Sequence, residues 1–290
     1  MKYGYLVLLV LIIAASGCIG EKVQISNWPS GYDVAAVITF DVEQAQTTDI
    51  IRTVDLLEKY DAKATFFVVA GYYEGAEEIL KPLHQFEVGN KGWDQSTWPA
   101  DYEGQRKSIK RAHTMLTKQG FNPRGFRAPY LKSSPETLAA LSDLKYSYSA
   151  SETGLLPTVE EGVVKLPLSV SYDPFWNDDV KDYLPLFYMA FEKTLDAGGV
   201  FTFYTMPENV DSRWEAFLKH LQSRNVWVAT GSEVSDWWKL RSQLSLKIVG
   251  DTAVVTNNGE SSVSGATLTT KKGFIPLPKI APGESARVKI

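Results

Sequence analysis

The chain has 290 residues, of which 44% are hydrophobic and 22% charged, a balance that is ordinary for a globular protein with a buried core. Its formal net charge is −4 and it has no block of basic residues, so nucleic acid is excluded as an expected partner. Aromatic residues make up 12% of the chain, with eight Trp, which fits a large core, a sugar-binding surface, or both.

Residues 1–18 have the pattern of a secretory signal. Lys2 precedes an apolar segment over residues 5–15, which is short for a membrane span, and small residues then lead to Cys18. A cysteine after Ala-Ser-Gly resembles a lipoprotein cleavage site. We therefore predict a lipidated Cys18 and a protein that is anchored to the membrane at the cell surface; a plain signal peptide or an uncleaved anchor is the alternative.

A polar stretch at 19–34 is predicted to be a linker. After it, strand and helix patterns alternate through the middle of the chain. Strands are predicted at 35–40, 64–70, 86–90, 125–130, 146–150, 163–170, 200–204 and 226–229. Helices are predicted at 47–60, 75–85, 105–119, 135–144, 179–197, 214–223 and 230–240. This alternation predicts an α/β fold over 35–241, a (β/α) barrel of about seven units whose strands end at one shared rim.

The pattern changes near residue 242. Residues 242–290 alternate with period two between turn signals, which predicts a small all-β module, sandwich-like and packed on the barrel. We favour a structural role for this module over ligand binding.

Two carboxylates, Asp41 and Glu43, follow the first buried strand one residue apart. Side chains on a strand alternate between faces, so these two point the same way. Carboxylates at the carboxyl end of a barrel strand are typical of metal ligands and general bases. A solvated strand end is the alternative.

Four rim segments, in this order and spacing, resemble the motifs of the polysaccharide deacetylase family, also called the NodB homology domain: 39–43, 87–96, 127–130 and 204–207. The resemblance extends over about residues 35–238. It implies a distorted (β/α) barrel that removes acetyl groups from N-acetylated glycans, or cleaves related amides, with a divalent metal such as zinc. It also implies a polysaccharide or another cell-envelope glycan as the partner.

Some of the site residues that the resemblance implies are present. Asp41 matches the general base, and Glu43 could be the second acid, which binds the metal in the family. Arg127 matches the arginine that pairs with the base, and Asp173 is similar to the aspartate that supports the base or the acid.

The other positions depart from the family pattern. Lys91 and Gln95 stand where the family has two histidine ligands, and Met206 stands where it has the histidine that acts as general acid. An ammonium has no lone pair to give, an amide oxygen is a poor zinc ligand, and a thioether has no titratable proton. The chain therefore resembles a degenerate member of the family, for which no cofactor is expected and Glu43 is at most a weak metal ligand.

A cation is expected where the family places its metal, because buried carboxylates need a compensating charge. We predict an ion pair between Lys91 and Asp41 or Glu43. Among the rim aromatics we expect Trp93, Tyr130 and Trp176 to contact a sugar.

The favoured function is a catalytically impaired, surface-anchored protein that binds carbohydrate or acts as a scaffold. One alternative is an active amide hydrolase with an atypical site, in which Asp41 and Glu43 do the chemistry and Lys91 or Arg127 stabilises an oxyanion. Another is a purely structural envelope protein.

Overall fold

The computed structural model describes residues 23–95, 98, 101–171 and 184–290. Residues 1–22, with the predicted signal and Cys18, lie outside this range. Ten strands form the main sheet: β2 Val34–Val42, β3 Thr65–Val68, β4 Glu87–Asn90, β5 Gly125–Phe126, β6 Tyr148–Ser149, β7 Thr158–Glu160, β8 Val163–Lys165, β9 Val170–Ser171, β10 Val200–Thr205 and β11 Val226–Val228. The described part also holds six α-helices: α1 Thr47–Lys59, α2 Tyr102–Lys118, α3 Pro135–Asp143, α4 Leu184–Asp196, α5 Arg213–Gln222 and α6 Gly231–Ser242.

Strand β2 pairs with three other strands of the sheet, and all of its residues are buried. It pairs in parallel with β10 along one edge, and with β11 and then β3 along the other. Neighbouring strands therefore cover both edges of β2, while core side chains cover its faces, which explains its nearly continuous apolar sequence.

The sheet order is β7-β8-β6-β5-β4-β3-β2-β10-β9, and every pairing except β7 with β8 is parallel. Segment 163–171 begins beside β6 and ends beside β10, two strands that are far apart in this order. The sheet must therefore curl, which confirms the predicted α/β class and distorted barrel.

Two local differences from the predicted elements have simple causes. Glu77–Gln85 forms 3₁₀ turns rather than an α-helix, because Pro82 in its interior lacks the N–H that an α-helix needs. The strand predicted at 125–130 ends at Phe126. It is followed by a 3₁₀ turn at Pro129–Leu131, in which Tyr130 has a left-handed backbone with φ of 55°.

The chain after α6 forms two small antiparallel sheets. One contains β12 Leu244–Val249, β13 Thr252–Asn257 and β16 Ser285–Lys289. The other contains β14 Thr267–Thr270 and β15 Gly273–Pro276, and its third strand is β1, Gln24–Ile25, from the other end of the chain.

Strand β1 corrects the prediction that 19–34 is a linker, at least for residues 23–34. Ile25 pairs with Leu268, and Trp28 is completely buried in the core between the barrel and the module. No helix among the described residues has the length and apolar character that a membrane crossing requires.

Glu87 joins strands to α6 at the barrel end opposite the rim. Its carboxylate accepts hydrogen bonds from Tyr148 Oη (2.8 Å), Thr65 Oγ1 (3.1 Å) and both the backbone N–H (3.0 Å) and hydroxyl (2.7 Å) of Ser232. A negative charge at this place also complements the amino end of α6.

Replacing Glu87 with alanine is expected to lower the free energy of unfolding by about 2 kcal/mol, because several partly buried donors lose their acceptor. Urea denaturation measures the change. Glu78→Ala, at an exposed acidic residue on the neighbouring 3₁₀ turns, is the control. An equal effect of both substitutions would contradict a special role for Glu87.

Candidate functional site

The carboxyl end of β2 brings Asp41 and Glu43 to the rim. The Asp41 side chain is only 2% exposed, whereas that of Glu43 is 22% exposed. Asp41 pairs in register with Phe67 of β3, so its backbone is fixed inside the sheet. Asp41 is therefore the interior member of the pair, and Glu43 is the member that solvent reaches.

Lys91 lies directly after β4, and its ammonium reaches both carboxylates. Its Nζ is 3.2 Å from Asp41 Oδ2 and 3.4 Å from Glu43 Oε1, and its side chain is 3% exposed. The predicted ion pair is therefore confirmed, with both acids rather than one. One buried ammonium compensates two carboxylates at the place where their side chains converge.

Arg127 contacts the other carboxylate oxygen of Asp41 and is fully buried. Its Nη1 donates to Asp41 Oδ1 (2.7 Å) and to Thr39 Oγ1 (2.8 Å), while Nε donates to Ala150 O (2.9 Å). The guanidinium carbon also lies 4.3 Å from the ring centroid of Phe67. Both carboxylate oxygens of Asp41 are thus engaged by cations.

The residues at this site do not fit a divalent metal. The Lys91 ammonium already lies beside both acids, and a second cation there would be repelled by it. Gln95 is buried and Met206 half-buried, and neither supplies an imidazole. In the described ranges, no group of three or more His, Cys, Asp or Glu side chains is arranged to hold a metal ion.

The backbone around position 91 is shaped by small and hydrogen-bonding residues. Asn90 donates to Ile109 O (2.9 Å) and Tyr146 Oη (2.7 Å), and its Oδ1 accepts from Gly92 N (2.7 Å). A side chain at Gly89 would lie 2.6 Å from the Phe67 ring, so only glycine fits there. The loop that presents position 91 is therefore firmly held.

His113 extends this network behind the rim through a 3.0 Å hydrogen bond between its Nδ1 and Tyr146 Oη. Burial lowers the pKa of His113 below its ordinary value of 6.5, and burial raises the pKa of Tyr146. The other two histidines lie elsewhere: His84 stacks on Phe121, and His220 Nε2 is 3.0 Å from Glu192 Oε1.

The low pKa of His113 predicts a loss of stability in mild acid. The unfolded chain takes up the proton first as the pH falls through about 6.5, so His113 contributes stability above that pH and loses it below. The urea midpoint of the wild type is expected to fall more between pH 7.5 and 5.5 than that of His113→Gln. Equal pH dependence in the two proteins would contradict the prediction.

The rim aromatics differ in how far their rings are available. Tyr130 is 50% exposed. Trp93 is half-buried, with the Arg111 guanidinium 3.5 Å from its ring centroid and the Gly71 backbone packed against it. Trp98 belongs to the core and donates to Lys132 O. Of the two predicted sugar contacts that the structure describes, Trp93 and Tyr130, Tyr130 presents the more open ring.

Tyr72, in the turn after β3, is an exposed rim residue that the sequence did not single out. Burial raises its pKa, and the negative charge of Glu43 raises it further. The sequence feature that could have identified Tyr72 is its position directly after a predicted barrel strand. Asp173 and Trp176 lie outside the described residues.

The curled parallel sheet thus carries an Asp–Arg pair and a second acid on its carboxyl rim. Residues 32–149 match the family model for polysaccharide deacetylase. This match confirms the resemblance to the family that the motifs indicate. A search of curated proteins found no match.

Solved structures show the same fold at low identity. A Mycobacterium smegmatis protein assigned as a polysaccharide deacetylase is 20% identical, with a TM-score of 0.64, covering 74% of this chain and 93% of its own. PuuE allantoinase is 15% identical, with a TM-score of 0.61 and coverage of 74% and 93%. A CE4 family pseudoenzyme from Bacillus anthracis is 17% identical, with a TM-score of 0.51 and coverage of 70% and 65%.

Proposed function

We propose that this protein binds a cell-envelope polysaccharide through a deacetylase-type barrel that no longer performs metal-dependent hydrolysis. The observation that carries the proposal is the buried Lys91 ammonium between Asp41 and Glu43. Metal-assisted hydrolysis needs an ion that activates water and polarises the carbonyl. The ammonium neutralises the acids but offers no coordination position for water.

Asp41 is also poorly placed to act as a base. Lys91 holds one of its oxygens and Arg127 the other, so both are engaged in the folded protein. Met206, half-buried before the Pro207 turn, offers no proton for a leaving amine. The residues that would move protons in hydrolysis are thus either engaged or replaced.

An amide hydrolase with an atypical site is the alternative, and the burial of its cations weighs against it. An oxyanion stabiliser must lie about 3 Å from the reacting oxygen. Lys91 is 3% exposed and Arg127 is fully buried, so a polymeric substrate has little access to either. Glu43 is the most accessible charged member of the group.

Exposed aromatic side chains support glycan binding at the rim. Tyr130 and Tyr72 are large and exposed, and the negative charge of Glu43 raises the pKa of Tyr72. Aromatic rings bind the apolar faces of sugars, and their hydroxyls reach hydrogen-bond partners. A lipid anchor at Cys18 is part of the same proposal and would keep the rim near the cell envelope.

The test measures metal, turnover and binding on the same purified protein. Metal content is measured by mass spectrometry. Turnover is measured as acetate release from N-acetylated chito-oligosaccharides and from peptidoglycan. Binding is measured by pull-down with the same glycans. We expect binding that Tyr130→Ala and Tyr72→Ala weaken, without acetate release. Val249→Ala, at an exposed residue of the C-terminal module, is the matched control.

Each other outcome contradicts the proposal. Bound metal with acetate release would establish the active hydrolase instead. Neither binding nor turnover would favour a purely structural envelope protein. If the two tyrosine variants bind glycan as strongly as the wild type, the glycan site does not lie at the rim.

A further inference from the structure

A cavity of about 500 Å³ lies at the barrel end opposite Asp41. Three parts of the chain meet there: the segment before β2, the turn between α4 and β10, and the β14–β15 sheet of the C-terminal module. Its lining includes the aromatic rings of Tyr32 and Phe274 and the carboxylates of Asp33 and Asp196. Cavities between packed units are common binding sites.

The wall formed by the segment before β2 is rigid. Asn27 Nδ2 and Trp28 Nε1 both donate to the carbonyl of Gly198, at 2.9 and 3.0 Å. Arg241 donates to the carbonyl of Ser26 (2.8 Å) and to Asn27 Oδ1 (3.1 Å). These bonds fix an irregular segment before any ligand arrives, so binding there would cost little ordering.

The cavity is acidic and aromatic. Asp33 and Asp196 are exposed, and neither forms a salt bridge within the described part of the chain. Asp33 Oδ2 accepts one hydrogen bond, from Asn225 Nδ2 at 3.1 Å. No Lys or Arg is among the described residues that line the cavity. The side chain of Phe274 is 40% exposed and rests on the backbone of Gly31.

This lining suits a ligand that carries both a positive charge and an apolar face. Carboxylates favour a cation, and an exposed ring offers contact to the C–H face of a sugar. An amino sugar has both features. An N-acetylated sugar lacks the charge, and an anionic sugar would be repelled.

We propose that this cavity binds a sugar unit with a free amino group, such as a glucosamine unit of a glycan. The proposal rests on the proposed function, since it names a class of glycan that the protein recognises, but it places the contact at a different end of the barrel. The amino group pairs with Asp196 and Asp33, and the sugar ring lies against Phe274.

The test is calorimetric titration of the intact protein with glucosamine oligomers and, separately, with N-acetylglucosamine oligomers. We expect glucosamine oligomers to bind about tenfold more tightly, which corresponds to about 1.4 kcal/mol. Asp196→Asn should remove most of this preference, and Phe274→Ala should weaken the glucosamine oligomers about tenfold while N-acetylglucosamine oligomers that bind at the rim keep their affinity. Glu284→Gln, at an exposed acid of the C-terminal module, is the control, and thermal denaturation verifies that every variant is folded.

Several results would overturn the proposal. Equal affinity for the two oligomers would show that the amino group does not contribute to binding. If ethanolamine binds as tightly as the sugar, contact between the sugar ring and Phe274 does not contribute either. If Tyr130→Ala abolishes binding while Asp196→Asn and Phe274→Ala do not, the cavity proposal fails and the rim proposal stands. If no glycan binds at all, both fail.

Discussion

Replacement of Lys91 by alanine is expected to lower the free energy of unfolding by about 3 kcal/mol, because it leaves two carboxylates without the ammonium that compensates them. Asp41 is 2% exposed, so water cannot easily take the place of the lost partner. Urea denaturation at neutral pH measures the loss. A millimolar divalent cation should restore part of the stability of Lys91→Ala and leave the wild type unchanged, since only the variant has a place for it.

Lys63→Ala is the control for this experiment. Lys63 forms a 2.6 Å ion pair with Glu233, but its side chain is 53% exposed, so we expect a loss below about 1 kcal/mol. A neutral effect of Lys91→Ala in metal-free buffer would mean that the ammonium does not hold the two acids in place, and the proposed replacement of a metal by Lys91 would then fail.

Replacement of Arg127 by methionine is expected to cost about 4 kcal/mol, because it leaves Asp41 with one cation in a buried site. The effect should depend on Asp41. In the double variant Arg127→Met with Asp41→Leu, the charge that Arg127 compensates is also gone, and part of the stability should return. The coupling energy from this double-mutant cycle isolates the pair from the packing of the guanidinium on Phe67.

Arg124→Met provides a matched comparison. Arg124 also binds an aspartate, in this case through two nitrogens that lie 2.9 and 2.6 Å from Asp236, but both side chains are well exposed to solvent. We expect a loss of less than about 1 kcal/mol there. Equal losses at Arg124 and Arg127, or fully additive effects of Arg127→Met and Asp41→Leu, would contradict the view that burial makes the Asp41 pair important.

The main features of the rim were predictable because they follow from strand order. The apolar run before Asp41 identifies a buried strand, and the strand that ends at Asn90 must reach the same rim in a parallel sheet. The resemblance to the deacetylase motifs then placed Lys91 beside Asp41, and in the structure its Nζ lies 3.2 Å from Asp41 Oδ2. Its simultaneous contact with Glu43 depends on side-chain geometry that strand order does not determine.

Other features depend on contacts that sequence patterns do not reveal. Strand β1 is two residues long and pairs with residues more than 240 positions away, so no periodic signal distinguishes it from a linker. The Trp93 ring lies under Arg111 only because α2 packs beside the rim loop, and its availability for a sugar could not be judged in advance. Tyr72 was missed because it stands in a turn between the recognised motifs.

The pairing of β1 with β14 determines how the molecule would carry mechanical tension. A pull on the chain ahead of residue 23 acts first on Gln24 and Ile25, which are bonded to β14, and on Ser26, whose N–H donates to Thr267 O. Arg241 holds the same segment because it donates hydrogen bonds to the carbonyls of Ile25 and Ser26. The load therefore passes into the C-terminal module and α6 before it reaches β2. A tether at the N-terminal end would strain the module first and leave the geometry around Asp41 undisturbed.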